Sequence, residues 1–191
     1  MNPNLKIKAI PYKDLTEEQK AEHQQFMVDN FYIPQEYADP AWQAEEQESF
    51  FVPADLYFFA YINGKLAGTA SLRRREVEFG GLQLAIAGFG DLAVRKDFRH
   101  QGIASNLLEA RMQTAKKSKC DIAFLDTDIP KLKKLFGKFG FVQLEHGYTF
   151  IGKSGKTHTE EDGMIAPVTS VEKFKIVLHG KQPLDIGIAS L

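Results

Sequence analysis

Apolar and polar positions alternate near the start of the chain. Leu5, Ile7 and Ala9 stand against Lys6 and Lys8, the period of a half-buried strand. Thr16-Glu-Glu-Gln19 has the form of a capping box. The helix it opens is predicted to run to about Phe31, and Pro34 blocks its continuation. Residues 33–55 are predicted to form a loop and a short second helix. They mix Tyr37, Trp42, Phe50 and Phe51 with Glu36, Asp39, Glu45, Glu46 and Glu48, and aromatics so placed pack more often than they face a ligand.

A hairpin follows. Residues 56–62 form one strand, Asn63-Gly64 is a favoured two-residue turn, and residues 66 to about 79 return. Gly80-Gly81 turns the chain into a third strand, 82–94, whose apolar run 86–94 reads as buried. A basic loop, 95–101, leads to a helix beginning at Gly102 or Ala104. Its stripe is Ile103, Leu107, Leu108, Met112 and Ala115, and it ends near Lys117. Residues 121–126 form a short buried strand. Pro130 then sits in the first turn of a helix with the stripe Leu132, Leu135, Phe136 and Phe139, ended by Gly140. Residues 141–145, 148–153 and 175–178 are further strand candidates, and the polar stretch 152–163 is predicted to be an exposed loop. This order predicts one α/β domain over residues 1–191, a mixed sheet with helices.

Composition adds little to that picture. The 191 residues suffice for one well-buried core, and the net charge is −1. Residues 1–8 hold no apolar signal segment and no run approaches a membrane span, so a cytoplasmic protein is expected. Cys120 is alone, so no internal disulfide can form. No nucleic-acid or membrane partner is expected. Charge distribution changes the picture more. Residues 1–60 carry 4 Lys and Arg against 11 Asp and Glu, a net −7, whereas residues 61–140 carry 15 against 8, a net +7. Such a pattern suits an anionic cofactor held beside a cationic substrate.

The chemistry begins where strand 86–94 feeds the next helix. The first N–H groups of a helix lack internal partners and carry the positive end of its dipole, which makes a receptor for phosphate. Gly102 and Ala104 are small enough for a pyrophosphate to approach the backbone, and Arg99 could add a bidentate contact. Two other patterns carry nothing. Residues 152–157, Gly-Lys-Ser-Gly-Lys-Thr, echo the end of a P-loop, but Phe150 stands where its first glycine belongs. The five histidines show no ligand spacing, and no metal is predicted.

Arg99-His-Gln-Gly102-Ile-Ala104 follows the form [QR]-x-x-G-x-[GA], and here the chain resembles the GNAT acyltransferase superfamily. The preceding strand end, Asp91-Leu-Ala-Val94, and the later Leu135-Phe-Gly-Lys-Phe-Gly140-Phe141 fit the same resemblance. It covers roughly residues 5–153, most specifically 86–141, with 154–191 completing the sheet. It implies a mostly antiparallel sheet of six to seven strands flanked by about four helices. It also implies an N-acetyltransferase that moves an acetyl group from acetyl-CoA to a primary amine of a small molecule, by direct attack on the thioester. Acetyl-CoA is then the implied acyl donor, and a homodimer is compatible with the layout.

Carried onto this chain, the resemblance places the pyrophosphate on the backbone of Arg99, His100, Gln101, Gly102, Ile103 and Ala104. The pantetheine arm would run beside Leu92, Ala93 and Val94 in the manner of an added partial strand. Splay between this strand and 121–126 would admit it. Lys131, Lys134 or Lys138 could meet the 3′-phosphate. Asp91, the only acid on the central strand, is the candidate base, acting through water. The family's acid usually lies one residue earlier, where this chain has Gly90, and strict alternation would put the two positions on opposite faces. Phe136 stands where the family usually has a proton-donating tyrosine, so Tyr148 is the candidate substitute. Residues 149–168 resemble the tail of aminoglycoside 2′-N-acetyltransferases, and the acidic N-terminal third suits a cationic acceptor such as a polyamine or amino sugar. A longer-chain acyl-CoA transferase and a non-catalytic acyl-CoA sensor remain open as alternatives.

Overall fold

In the computed structural model, which describes residues 4–30 and 53–188, the two predicted turns set the centre of the sheet. Asn63 and Gly64 have φ of 50° and 80°, and Gly80 and Gly81 have 58° and 83°. Left-handed backbone at both turn positions matches the right-handed twist of the flanking strands. The result is an antiparallel ladder of β2 (Leu56–Ile62), β3 (Lys65–Phe79) and β4 (Leu82–Val94). β1 (Leu5–Pro11) joins the free edge of β2. Beyond β4 lie β5 (Ile122–Asp126), β9 (Gly163–Pro167) and the two-residue β6 (Val142–Gln143). The order is β1-β2-β3-β4-β5-β9-β6, antiparallel throughout except for the parallel pair β4–β5. This is the mixed, mostly antiparallel α/β sheet that the sequence predicted.

Four helices are described. Reciprocal hydrogen bonds between Thr16 and Gln19 (3.0 and 3.2 Å) open α1 (Glu17–Asn30), as the capping box predicts. α2 (Ile103–Lys117) and α3 (Ile129–Gly137) cover one face, where Leu107, Leu108 and Phe136 pack on Phe58, Ala87 and Phe89. On the other face, α1 packs Phe26 and Met27 against Tyr57, Phe59 and Ala93. The far end of that face is covered by a second sheet in the order β10 (Leu184–Ile188), β7 (Tyr148–Ile151), β8 (Thr157–Glu160), with α4 (Val171–Leu178).

The structure corrects the C-terminal reading. Residues 152–163 are not a loop: β7 (Tyr148–Ile151) turns through Gly152 and Gly155 into β8 (Thr157–Glu160), a polar hairpin whose ladder needs no apolar alternation. Residues 175–178 belong to α4 rather than a strand, because Ser170 caps the helix by accepting from Lys173 N–H at 3.2 Å. The tail also completes two sheets instead of one. β9 enters the main sheet, while β10 (Leu184–Ile188) pairs parallel with β7. The predicted short helix within 33–55, and the helix end at Phe31, lie outside the described residues. Among the described residues no helix is long and apolar enough to cross a membrane.

Candidate active site

The loop before α2 is built to expose backbone N–H groups. His100 and Gly102 have φ of 61° and 79°, separated from each other by Gln101, so the chain turns sharply into the helix. Among the described residues, the N–H groups of residues 101–105 have no protein acceptor. Gly102 also leaves space, since the nearest atom to a Cβ built there is Asn106 Nδ2 at 3.6 Å. Unpaired donors at a helix N-terminus on an open surface fit a phosphate group. The Arg99 side chain is placed differently from the expectation. Its Nε donates to Val94 O at 3.0 Å and its Nη2 to Asn30 O at 3.4 Å, tying the loop to the strand end and to α1. Lys131 pairs with Asp128 at 2.5 Å, and Lys134 and Lys138 are exposed.

The strand that precedes this loop is split from its neighbour. β4 pairs with β5 only at Ile86, Ala87 and Gly88. Residues 89–94 have no strand on that side among the described residues, although β3 continues to pair with β4 on the other. This gap is the splay the resemblance implied, and Leu92, Ala93 and Val94 lie along it. A free strand edge offers backbone donors and acceptors to an extended ligand.

A bulge interrupts β4 within the gap. Ser71 opposes Gly90 and Thr69 opposes Ala93, so Ala70 alone faces two residues, Asp91 and Leu92. Asp91 adopts φ 53°. The extra residue shifts the phase of the strand. Phe89 packs on the α2 side, while Ala93, four residues later, packs on the α1 side. Strict alternation, which set residues 90 and 91 on opposite faces, therefore does not apply here. The carboxylate of Asp91 acts on groups of both faces: His23 and Tyr57 from α1 and β2, and Arg111 from α2. Burial holds His23 below its usual range, against the pull of Asp91, and its ring lies edge-on to Tyr57 at 4.8 Å.

Two residues at this site were not singled out from the sequence. Asp126 ends β5 on the face of Ile122 and Phe124, because alternation carries positions 122, 124 and 126 together. Its carboxyl is solvent-accessible yet crowded by protein and by other acids. Lost hydration first, then Asp162, Asp91 and Glu160, raise it to about 6. Arg111 is 1% exposed, on the buried stripe of α2 four residues after Leu107 and four before Ala115. Among the described residues, no group of three or more His, Cys, Asp or Glu could hold a metal ion.

Tyr148 is 3% exposed, and its ring meets Phe124 at 5.0 Å on the same face as Asp126. Phe136 is buried on the opposite face with its ring edge-on to Phe141 at 5.9 Å, and it brings no hydroxyl.

With a split strand pair, a bulge at the split and an open helix N-terminus in place, the family is identified. A profile of the acetyltransferase (GNAT) family matches residues 13–141, more than half of the chain, and the protein belongs to that family. It is an acyltransferase, and the family's reaction is transfer of an acyl group from acyl-CoA to an amine. Solved structures share the fold. An acyl-CoA N-acyltransferase from Pseudomonas aeruginosa superposes with TM-score 0.59 at 20% identity, covering 85% of this chain and 99% of that one. A GNAT acetyltransferase from Staphylococcus aureus gives 0.55 at 17% identity, over 86% and 100%. A probable N-acyltransferase from Enterococcus faecalis gives 0.53 at 16% identity over 73% of this chain, which spans 32% of that protein's length. No curated protein sequence gives a match.

Proposed function

We propose that the protein is an N-acetyltransferase that moves an acetyl group from acetyl-CoA to a primary amine of a small, cationic molecule. The observation that carries this reading is the split of β4 from β5 after Gly88, which opens directly onto the unpaired N–H groups of residues 101–105. His100, Gln101, Gly102, Ile103 and Ala104 form the pyrophosphate cradle through their backbone, beside Arg99, whose own N–H is taken by Lys96 O at 3.4 Å. Leu92, Ala93 and Val94 offer the strand edge for the pantetheine arm. A small acyl group is supported by the large rings Phe89, Phe136 and Phe141 packed beneath the split. The described chain acts as one unit, because β7 and β10 share a core with β3 and β4.

In this reading the acceptor arrives as an ammonium ion, drawn by Asp91, Asp126, Asp162 and Glu160. It must lose a proton before its nitrogen attacks the thioester carbon. Asp91 takes that proton through water. The nitrogen–carbon bond forms, the nitrogen gives its second proton to water, the carbon–sulfur bond breaks, and coenzyme A leaves as the thiolate. Tyr148 is the candidate proton donor to sulfur. The ordinary thiol pKa of about 8.5 keeps the thiolate a tolerable leaving group, so this donor contributes less than the base.

Release of coenzyme A thiol, measured with acetyl-CoA and a panel of polyamines, aminoglycosides and lysine peptides, tests the reading. Polyamines or aminoglycosides should be the fastest acceptors. Asp91→Asn should lower kcat by about 10²–10⁴-fold, and Tyr148→Phe by less. Thiol release restricted to longer acyl-CoAs would replace acetyl with another acyl group. Binding without release across the panel would favour a sensor.

A further inference from the structure

Arg111 heads the fully buried side chains of the described structure by size. No carboxylate forms an ion pair with it among the described residues, and its Nε and Nη2 have no hydrogen-bond partner. Removing an ion from water costs several kcal/mol even after relaxation. A methionine or leucine here would fill the same space of the α2 stripe without that cost. The position of the guanidinium shows what it does instead. Nη1 donates to Gly90 O at 3.1 Å and to Ser71 O at 3.4 Å, the two residues that face each other just before the bulge. The guanidinium lies over the Phe89 ring at 4.5 Å. Thr69 Oγ1 donates to Asp91 O at 3.4 Å on the other side of the bulge.

We propose that Arg111 is a positioning residue for the transfer reaction: it holds the Gly90 end of the β4 bulge and thereby sets the place of Asp91. This rests on Asp91 being the base. The groups whose charge couples to Asp91 are His23 from α1, Tyr57 from β2, Arg111 from α2 and Asp126 from β5. Burial keeps His23 neutral and Asp126 is an acid, so Arg111 is the cation of this set.

Steady-state kinetics of the whole chain test the proposal, with acetyl-CoA and the fastest amine of the panel. Arg111→Met should lower kcat by about 10–100-fold, the scale of a base displaced by about 1 Å. KM for acetyl-CoA should stay within about threefold, because the cradle at 101–105 is untouched. Arg111→Gln and Arg111→Lys, which keep a donor for the Gly90 and Ser71 carbonyls, should each recover part of kcat. In an Asp91→Asn background, Arg111→Met should change kcat by less than about threefold.

An unchanged kcat in Arg111→Met, a kcat lost equally in Met, Gln and Lys, or full multiplication of the two effects would overturn the proposal. Should Met and Gln fail to fold, Arg111→Lys decides. Reduced kcat with an unchanged KM for acetyl-CoA supports the proposal, and wild-type kcat or a raised KM refutes it. Wild-type kcat in Asp91→Asn alone would instead overturn the base assignment, and the two failures are thereby distinguished.

Discussion

Asp126 and Asp91 lie on the two strands that part after Gly88, and the surroundings of Asp126 can be probed by measurement. Asp126 is raised from 3.8 to about 6, first by lost hydration and then by Asp162, Asp91 and Glu160. Between those values the folded protein keeps a proton that the unfolded chain has released. The stability this contributes is complete below about pH 4 and is lost as pH rises through about 6. Asp126→Asn removes the dependence. The variant should melt with the wild type near pH 4 and above it at pH 7. A constant melting difference across that range would mean that the acids do not crowd Asp126. Neither this residue nor Arg111 stood out in the sequence, though each left a trace. Asp126 is in phase with the apolar positions 122 and 124, and position 111 lies on the α2 stripe between 107 and 115. A charged residue in such a place reads as solvated until its neighbours are known.

At the scale of elements, turns and caps were legible because their chemistry is local. Asn63-Gly64, Gly80-Gly81, Thr16 with Gln19 and Pro130 each specify backbone within four residues. The bulge in β4 left only a weak mark, a glycine inside the strand followed by an Asp that tolerates left-handed backbone. It lies where β4 has parted from β5 and keeps only its ladder with β3. α4 was misread because Ile176, Val177 and Leu178 form a short apolar run, which is ambiguous between strand and helix without the cap at Ser170. The close fit of α2 on the sheet was also hidden. A Cβ at Gly68 would lie 3.0 Å from Ile103 Cγ2, 3.1 Å from Ala93 O and 3.2 Å from Leu107 Cδ1. Glycine here lets the first turn of α2, and hence the cradle, settle against β3. Gly68→Val should destabilise the fold by about 1–3 kcal/mol through overpacking and weaken acetyl-CoA binding in parallel. A variant with wild-type melting and wild-type affinity would show that the helix start does not depend on this contact.

Across the whole molecule, binding and catalysis separate. The proposed cradle and the split strand pair are made of backbone; a six-residue motif pointed to the loop before α2, and the split was implied only by the family resemblance. The catalytic side depends on which side chains converge from α1, β2, α2 and β5, and no spacing along the chain reveals that convergence. The central claim is that acyl-CoA lies with its pyrophosphate on the N-terminus of α2. Calorimetric titration of acetyl-CoA into the wild type, Gly102→Glu and Gly102→Asn tests it most directly. Asparagine tolerates the left-handed backbone at position 102 and carries no charge, so it controls for strain. The account predicts affinity within about tenfold of wild type for Asn, which is about 1.4 kcal/mol, and at least about 100-fold weaker binding for Glu with the fold intact. Equal affinities for Glu and Asn, or no acetyl-CoA binding by the wild type, would contradict it.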